Sequence, residues 1–180
     1  MKGLPGVRQP RRGWRVLLPL ALLTLFLTPA SALADKPARE ALPAAEPLRF
    51  AAGEVCAFPV LIEFPDSKNT AVTFTDAEGT PLRQIITGRL TARVTNLATG
   101  EALTANISGP AFLRFSEGNL ATVTLGGRGL LFLRAGIDAP PSGIFLASGR
   151  LVLAIGPAGE VTAIVSQTGR QQDVCAALAP

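Results

Sequence analysis

Leu90-Thr91-Ala92-Arg93-Val94-Thr95 is the stretch that decides the fold. Aliphatic Leu90, Ala92 and Val94 alternate with polar Thr91, Arg93 and Thr95. In an extended chain that period of two places the first set on one face and the second on the other. The same alternation recurs in Leu103, Ala105 and Ile107 against Thr104 and Asn106, and in Ala121, Val123 and Leu125 against Thr122 and Thr124. Val72 and Phe74 likewise alternate with Thr73 and Thr75.

Turn residues punctuate these runs at hairpin-sized intervals: Asp76-Ala77-Glu78-Gly79, Thr99-Gly100, Glu117-Gly118-Asn119, Gly126-Gly127 and Gly156-Pro157-Ala158-Gly159. Short connections favour pairing between sequence neighbours. The pattern predicts strands near 54–64, 71–76, 82–88, 90–96, 102–108, 111–116, 119–125, 129–134, 144–147, 149–155 and 160–166. Helical periodicity is confined to a last turn at Val174–Leu178. Leu130-Leu131-Phe132-Leu133, Ile144-Phe145-Leu146-Ala147 and Leu151-Val152-Leu153-Ala154-Ile155 are apolar on both faces, so a second layer must cover them. The expectation is an all-β fold, an antiparallel meander closed into a β-barrel or stacked as a two-sheet β-sandwich.

Upstream, the chain reads as an export leader. Arg11-Arg12-Gly13-Trp14-Arg15 supplies positive charge, Val16 to Leu27 a short apolar core, and Ala32-Leu33-Ala34 the small-residue pattern that signal peptidase cuts. An uncleaved anchor fits less well, because Pro19 interrupts the apolar run and the chain from Pro29 onward is small and weakly apolar. Arg11-Arg12 is part of a twin-arginine pattern whose remainder is missing. The organisation expected is a signal peptide at 1–34, a flexible Pro/Ala-rich tether at 35–47 and one all-β domain at 48–180. The mature protein is then secreted and extracellular.

Charge must be counted after cleavage. Five of the 17 basic residues (Lys2, Arg8, Arg11, Arg12 and Arg15) lie in the leader and none of the 13 acids does, which leaves 12 against 13. A net charge of −1 makes no case for nucleic acid, or for a membrane after cleavage, as a partner.

The mature part holds two cysteines, Cys56 and Cys175, and an exported chain with an even count predicts a disulfide between them. That bond would join the first strand to the C-terminal segment. Two reactive thiols would instead require an activating base or a C-x-x-C spacing, and neither is present.

Catalytic chemistry finds few candidates. The chain has no histidine, which removes Ser-His-Asp triads, Cys-His pairs and histidine-ligated metals. The acids form no calcium loop, so Asp76 and Glu78 read as a hairpin tip. Glu63 and Glu160 would serve glycoside hydrolysis only if the fold brought them together. Gly126-Gly127-Arg128-Gly129 lacks the Lys-Ser/Thr of a phosphate loop and reads as a hairpin turn. Arg114, Arg128 and Arg134 would gather an anion if they shared a face. Phe58, Phe64, Phe74, Phe112, Phe115, Phe132 and Phe145 read as core, and there is no tyrosine to present to a sugar. No catalytic residue, metal ligand or cofactor is assigned.

A Gly149-Arg150-Leu151-Val152-Leu153 strand, a Gly159-Glu160-Val161-Thr162 strand and the terminal Asp173-Val174-Cys175-Ala176-Ala177-Leu178 together form a recognisable layout. Over about residues 48–180 the chain resembles small secreted β-proteins of actinomycetes that pair an early cysteine with one in a terminal D-x-C-x-x-L segment. The resemblance implies export and a β fold and carries no functional residue.

Three functional readings follow. The first is a secreted non-catalytic β-domain that binds a small apolar ligand or an envelope component, in a cavity lined by inward-facing residues such as Val94, Ile107 and Val123. The alternative is a structural or protein-interaction domain of the cell envelope, recognisable by a contiguous exposed apolar patch of roughly several hundred Å². A barrel enzyme ranks third, since it requires buried Asp, Glu or Arg to converge in one pocket.

Overall fold

Alternation of apolar and polar residues becomes strand wherever the sequence shows it, and the strands run longer than the alternation implied. The structure is a computed structural model and describes residues 36–180; the leader, with Ala32 and Ala34, lies outside the described residues. The elements in chain order are β1 (Ala38–Ala41), β2 (Leu48–Phe50), β3 (Val60–Thr75), β4 (Pro81–Asn96), β5 (Ala102–Asn106), β6 (Ala111–Ser116), β7 (Asn119–Leu133), β8 (Gly143–Ile155), β9 (Val161–Asp173) and one helical turn, α1 (Val174–Ala177).

All nine strands belong to one antiparallel sheet in the order β1-β3-β4-β6-β7-β8-β9, with β2 also on β3 and β5 also on β4. The sheet is open. Among the described residues β1 and β2 pair only with β3, and β9 only with β8, so the expected barrel is not closed and no second sheet completes a sandwich. The residues of β9 explain the free edge. From Val165 to Asp173 every side chain is exposed, and Ser166, Gln167, Thr168, Arg170, Gln171 and Gln172 have nothing to gain from burial.

Two further expectations change. Part of the 35–47 segment, read as a tether, is a strand: Ala38–Ala41 pairs with Thr70–Thr73, and Leu42 N donates to Asn69 O at 2.9 Å. Its pairing rests on backbone groups, which carry no sequence signal. Cys56, placed in a first strand at 54–64, instead lies in the irregular segment between β2 and β3, because β3 begins at Val60.

The largest departure concerns glycine. The expected strands break at Arg89, at Gly126-Gly127 and at Ser148, yet β4, β7 and β8 run straight through these points and through the neighbouring Gly88 and Gly149. Gly127 lies opposite Gly149, and Gly149 opposite Gly169. Their φ values are 72°, 105° and 92°, a region closed to most side chains. A Cβ at Gly149 would overlap the Thr168 carbonyl, and one at Gly169 the Ser148 carbonyl. Gly109 continues the row against Gly126 and Arg128, and Gly88 faces Asn69 on β3. Interior strand glycines of this kind mark a bend where backbones approach closely. The bend brings the two ends of the β7–β9 ladder together: Asp138, in the loop after β7, accepts from Val161 N at 2.8 Å, at the start of β9.

Strands apolar on both faces are thereby covered without a second sheet. Leu131, Leu133 and Ala147 pack with Leu151 and Leu153 across the bend. On the opposite face Leu130, Phe132, Ile144 and Leu146 join Val60, Ile62, Ala92, Val94 and Ile107 from β3–β5 and the chain after it. Phe50 and Phe132 meet with ring centroids 5.6 Å apart. Val55, Cys56 and Phe58 from the β2–β3 segment and Val174 and Leu178 around α1 complete that cluster.

The Cys56–Cys175 disulfide holds this cap, with Cα atoms 5.4 Å apart and a sequence separation of 119. Asn96, fully buried, secures it from the other side: its Nδ2 donates to Leu178 O at 2.9 Å and its Oδ1 accepts from Ala98 N at 2.8 Å. Replacing both cysteines by serine should lower the unfolding free energy by about 3–5 kcal/mol in urea titration. Gly149→Val should cost about 2 kcal/mol or more in the same measurement, through strain at positive φ and overlap with β9; a loss under about 0.5 kcal/mol would show that the row tolerates a side chain.

Candidate functional site

The far edge of β4 is shared between two strands. Thr91–Thr95 pairs with β5 at Ala102–Asn106, and Arg83–Ile86 pairs with β6 at Ala111–Arg114. Between those ladders Ile107 to Pro110 crosses from one to the other. Ile107 N donates to Leu90 O at 2.8 Å, and the Ser108 hydroxyl accepts from Leu90 N at 2.8 Å. Gly109 N donates to Arg128 O, and Gly126 N to Pro110 O, so the crossing is stitched to β7 as well.

This fork leaves an apolar pocket of about 270 Å³, lined chiefly by Leu42, Ile86, Leu90, Ile107, Ala111, Leu125 and Leu130. Asn69, Ser108 and the exposed Arg128 supply its polar groups. The Ser108 hydroxyl is engaged with both backbone groups of Leu90 and has no base beside it. A concave apolar surface with few polar groups suits a small ligand that is mostly hydrocarbon.

The other groups singled out in the sequence are dispersed. Cys56 and Cys175 are bonded. Asp76 caps its own hairpin, its Oδ1 accepting from Glu78 N at 3.1 Å and Thr80 N at 2.7 Å. Glu63 faces Arg93 across β3 and β4, whereas Glu160 lies in the β8–β9 turn and accepts from Ala158 N. Arg114 lies on β6, Arg128 at the fork and Arg134 against Asp138, so the three do not gather an anion. Gly126-Gly127-Arg128-Gly129 is strand, not turn, because glycine at a bend and glycine at a turn leave the same local signal. Val94 and Ile107 belong to one cluster and Val123 to the other; only Ile107 reaches the pocket. Phe112, read as core, is 42% exposed on the outer face of β6.

Among the described residues no three His, Cys, Asp or Glu side chains are grouped as a metal site would require. The one strongly shifted carboxyl among the described residues serves the fold. Burial alone would raise the Asp138 pKa, but hydrogen bonds from the Arg134 side chain and from the backbone of Arg134 and Val161 outweigh it and hold the group at about 2. Arg134 Nε and N donate to Oδ2 at 2.9 and 2.7 Å.

Sequence reasoning missed Arg128 as a pocket residue. The signal was Ser108-Gly109-Pro110 beside a glycine-rich strand, which marks a close backbone crossing only once register is known. No family model, no curated protein and no solved structure matches this chain.

The Asp138 clamp carries a pH signature. Its folded pKa of about 2 lies below the usual 3.8, so its contribution is complete above pH 4 and is lost as pH falls through 2. With the partly exposed guanidinium discounted for screening, the contribution is on the order of 1 kcal/mol. Asp138→Asn should therefore be less stable than wild type at neutral pH, with the gap narrowing toward pH 2; a gap of constant size would remove the charge from the account.

Proposed function

We propose that this protein is an exported, non-catalytic β-domain that holds a small apolar ligand at the fork of its sheet. The observation that carries the reading is the 270 Å³ pocket, lined mostly by apolar side chains with the exposed Arg128 among them. Its size is at the small end for ligand sites, which suits a short hydrocarbon group better than a sugar or nucleotide. Arg128 suits a carboxylate or phosphate end on that ligand. The leader sequence and the resemblance to small secreted actinomycete β-proteins support export.

A second reading has its own observation. β9 is a strand of 13 residues paired on one side only, a free edge to which an envelope protein can add a strand.

Native mass spectrometry of the protein secreted by its own host tests the first reading. The expected mass begins at Asp35, is two hydrogens light, and carries an additional mass that leaves on denaturation. Ala111→Phe, which fills the pocket, should abolish the extra mass, and Arg128→Gln should weaken its retention roughly ten-fold if the ligand is anionic. A bare monomer would count against a ligand, and a hetero-complex would favour the edge strand.

A further inference from the structure

We infer that the outer face of the sheet beyond the glycine row docks on an anionic phospholipid surface. Register determines which side chains share that face. Val72 lies opposite Ile85, Ile85 opposite Phe112, Phe112 opposite Thr124 and Thr124 opposite Val152, one continuous row across β3, β4, β6, β7 and β8. Side chains of paired residues project to the same side, so this row forms a single stripe. Arg39 stands at its β1 end opposite Val72. Arg83 and Arg114 flank it on one side, and Arg150 on the other. All four arginines are exposed.

No carboxylate shares that face among the described residues. The acids of this half, Asp76, Glu78, Glu117 and Glu160, sit in turns at the strand ends, and Glu40 pairs with Ala71 on the opposite face. Below the glycine row the same strands behave differently: Arg89 bridges Asp66 at 3.4 Å, and Arg93 faces Glu63. The net charge of −1 is therefore an average over a mixed half and a purely cationic face.

Arg83 and Arg114 make the strongest case. They are direct cross-strand partners, an arrangement that is destabilising for like charges. Neither forms a salt bridge among the described residues; Arg83 lies over the Phe74 ring at 3.9 Å, and Arg114 has no counter-charge. An external anion resolves the repulsion. The nature of that anion follows from what lies between the cations. Phe112 is the one exposed aromatic ring of the row, too few for the stacked bases of a single-stranded nucleic acid. Val72, Ile85, Phe112 and Val152 form an apolar centre with a cationic margin, which matches a lipid interface, where phosphates meet hydrocarbon. Five adjacent strands present a face roughly 20 Å across. No helix among the described residues is long and apolar enough to cross a membrane, and the contact proposed here is at the surface.

The test is co-sedimentation of the exported protein with vesicles of phosphatidylcholine alone, or of phosphatidylcholine with an equal part of phosphatidylglycerol. Binding should require the anionic lipid and weaken as salt is added. At about five-fold per arginine, Arg83→Gln with Arg114→Gln should lower partitioning roughly 25-fold. Arg89→Gln with Arg93→Gln makes the same charge change below the glycine row and should leave binding within about two-fold of wild type. Thermal melts of both double variants check folding, and the first should melt no lower than wild type because it relieves a repulsion. Failure to bind anionic vesicles, equal loss in both variants, or retention on a soluble polyanion such as heparin without vesicle binding would each overturn the inference.

Discussion

The close approach of backbones along the glycine row is the constraint on which the rest of the structure depends. At Gly149 and Gly169 each α-carbon faces the other strand's carbonyl, and neither leaves room for a Cβ. A strand of ordinary residues would have continued flat, exposing Leu131, Leu133 and Ala147 on one side. Bending there lets the far half of β8 supply Leu151 and Leu153 as their cover. One sheet thus buries its own face, which is why a chain with so many doubly apolar strands needs no second sheet and no closure.

The opposite face of the same strands is covered by a different device. The β2–β3 segment and α1 are short and irregular, and on their own would gain little from burial. The Cys56–Cys175 bond and the buried Asn96 hold both against β3, β4 and β8, converting two loose segments into a cap. The price of burying Asn96 is met by hydrogen bonds at both ends of its amide, so the cap holds no unsatisfied side-chain group.

Both proposed surfaces are consequences of how strands share edges. The pocket exists because β4 has two partners on one edge, and the gap between β5 and β6 is lined by whatever each strand places there. The cationic face exists because register aligns Arg39, Arg83, Arg114 and Arg150 around one apolar row while the carboxylates fall in turns and on the other half. Arg114, Arg128, Ile107 and Phe112 stand out in the sequence, but only register assigns each of them to its surface.

Local chemistry was legible in the residues themselves. Alternation at Leu90–Thr95, the Asp76–Gly79 hairpin tip, the single cysteine pair and the last helical turn at Val174 each depend on neighbours a few positions apart, and each appears in the fold. The same information could not distinguish glycine as a turn from glycine as a bend, so Gly126-Gly127 divided a strand that is in fact continuous, and the expected strands also parted next to Gly88 and Gly149 where β4 and β8 run on. Nor could it show that a Pro/Ala-rich segment would add β1, that Phe112 would be left outside, or that the sheet would stay open. Those outcomes rest on pairings between residues far apart in the chain. A period of two states which face a side chain takes within its own strand, and only register between strands decides what that face meets.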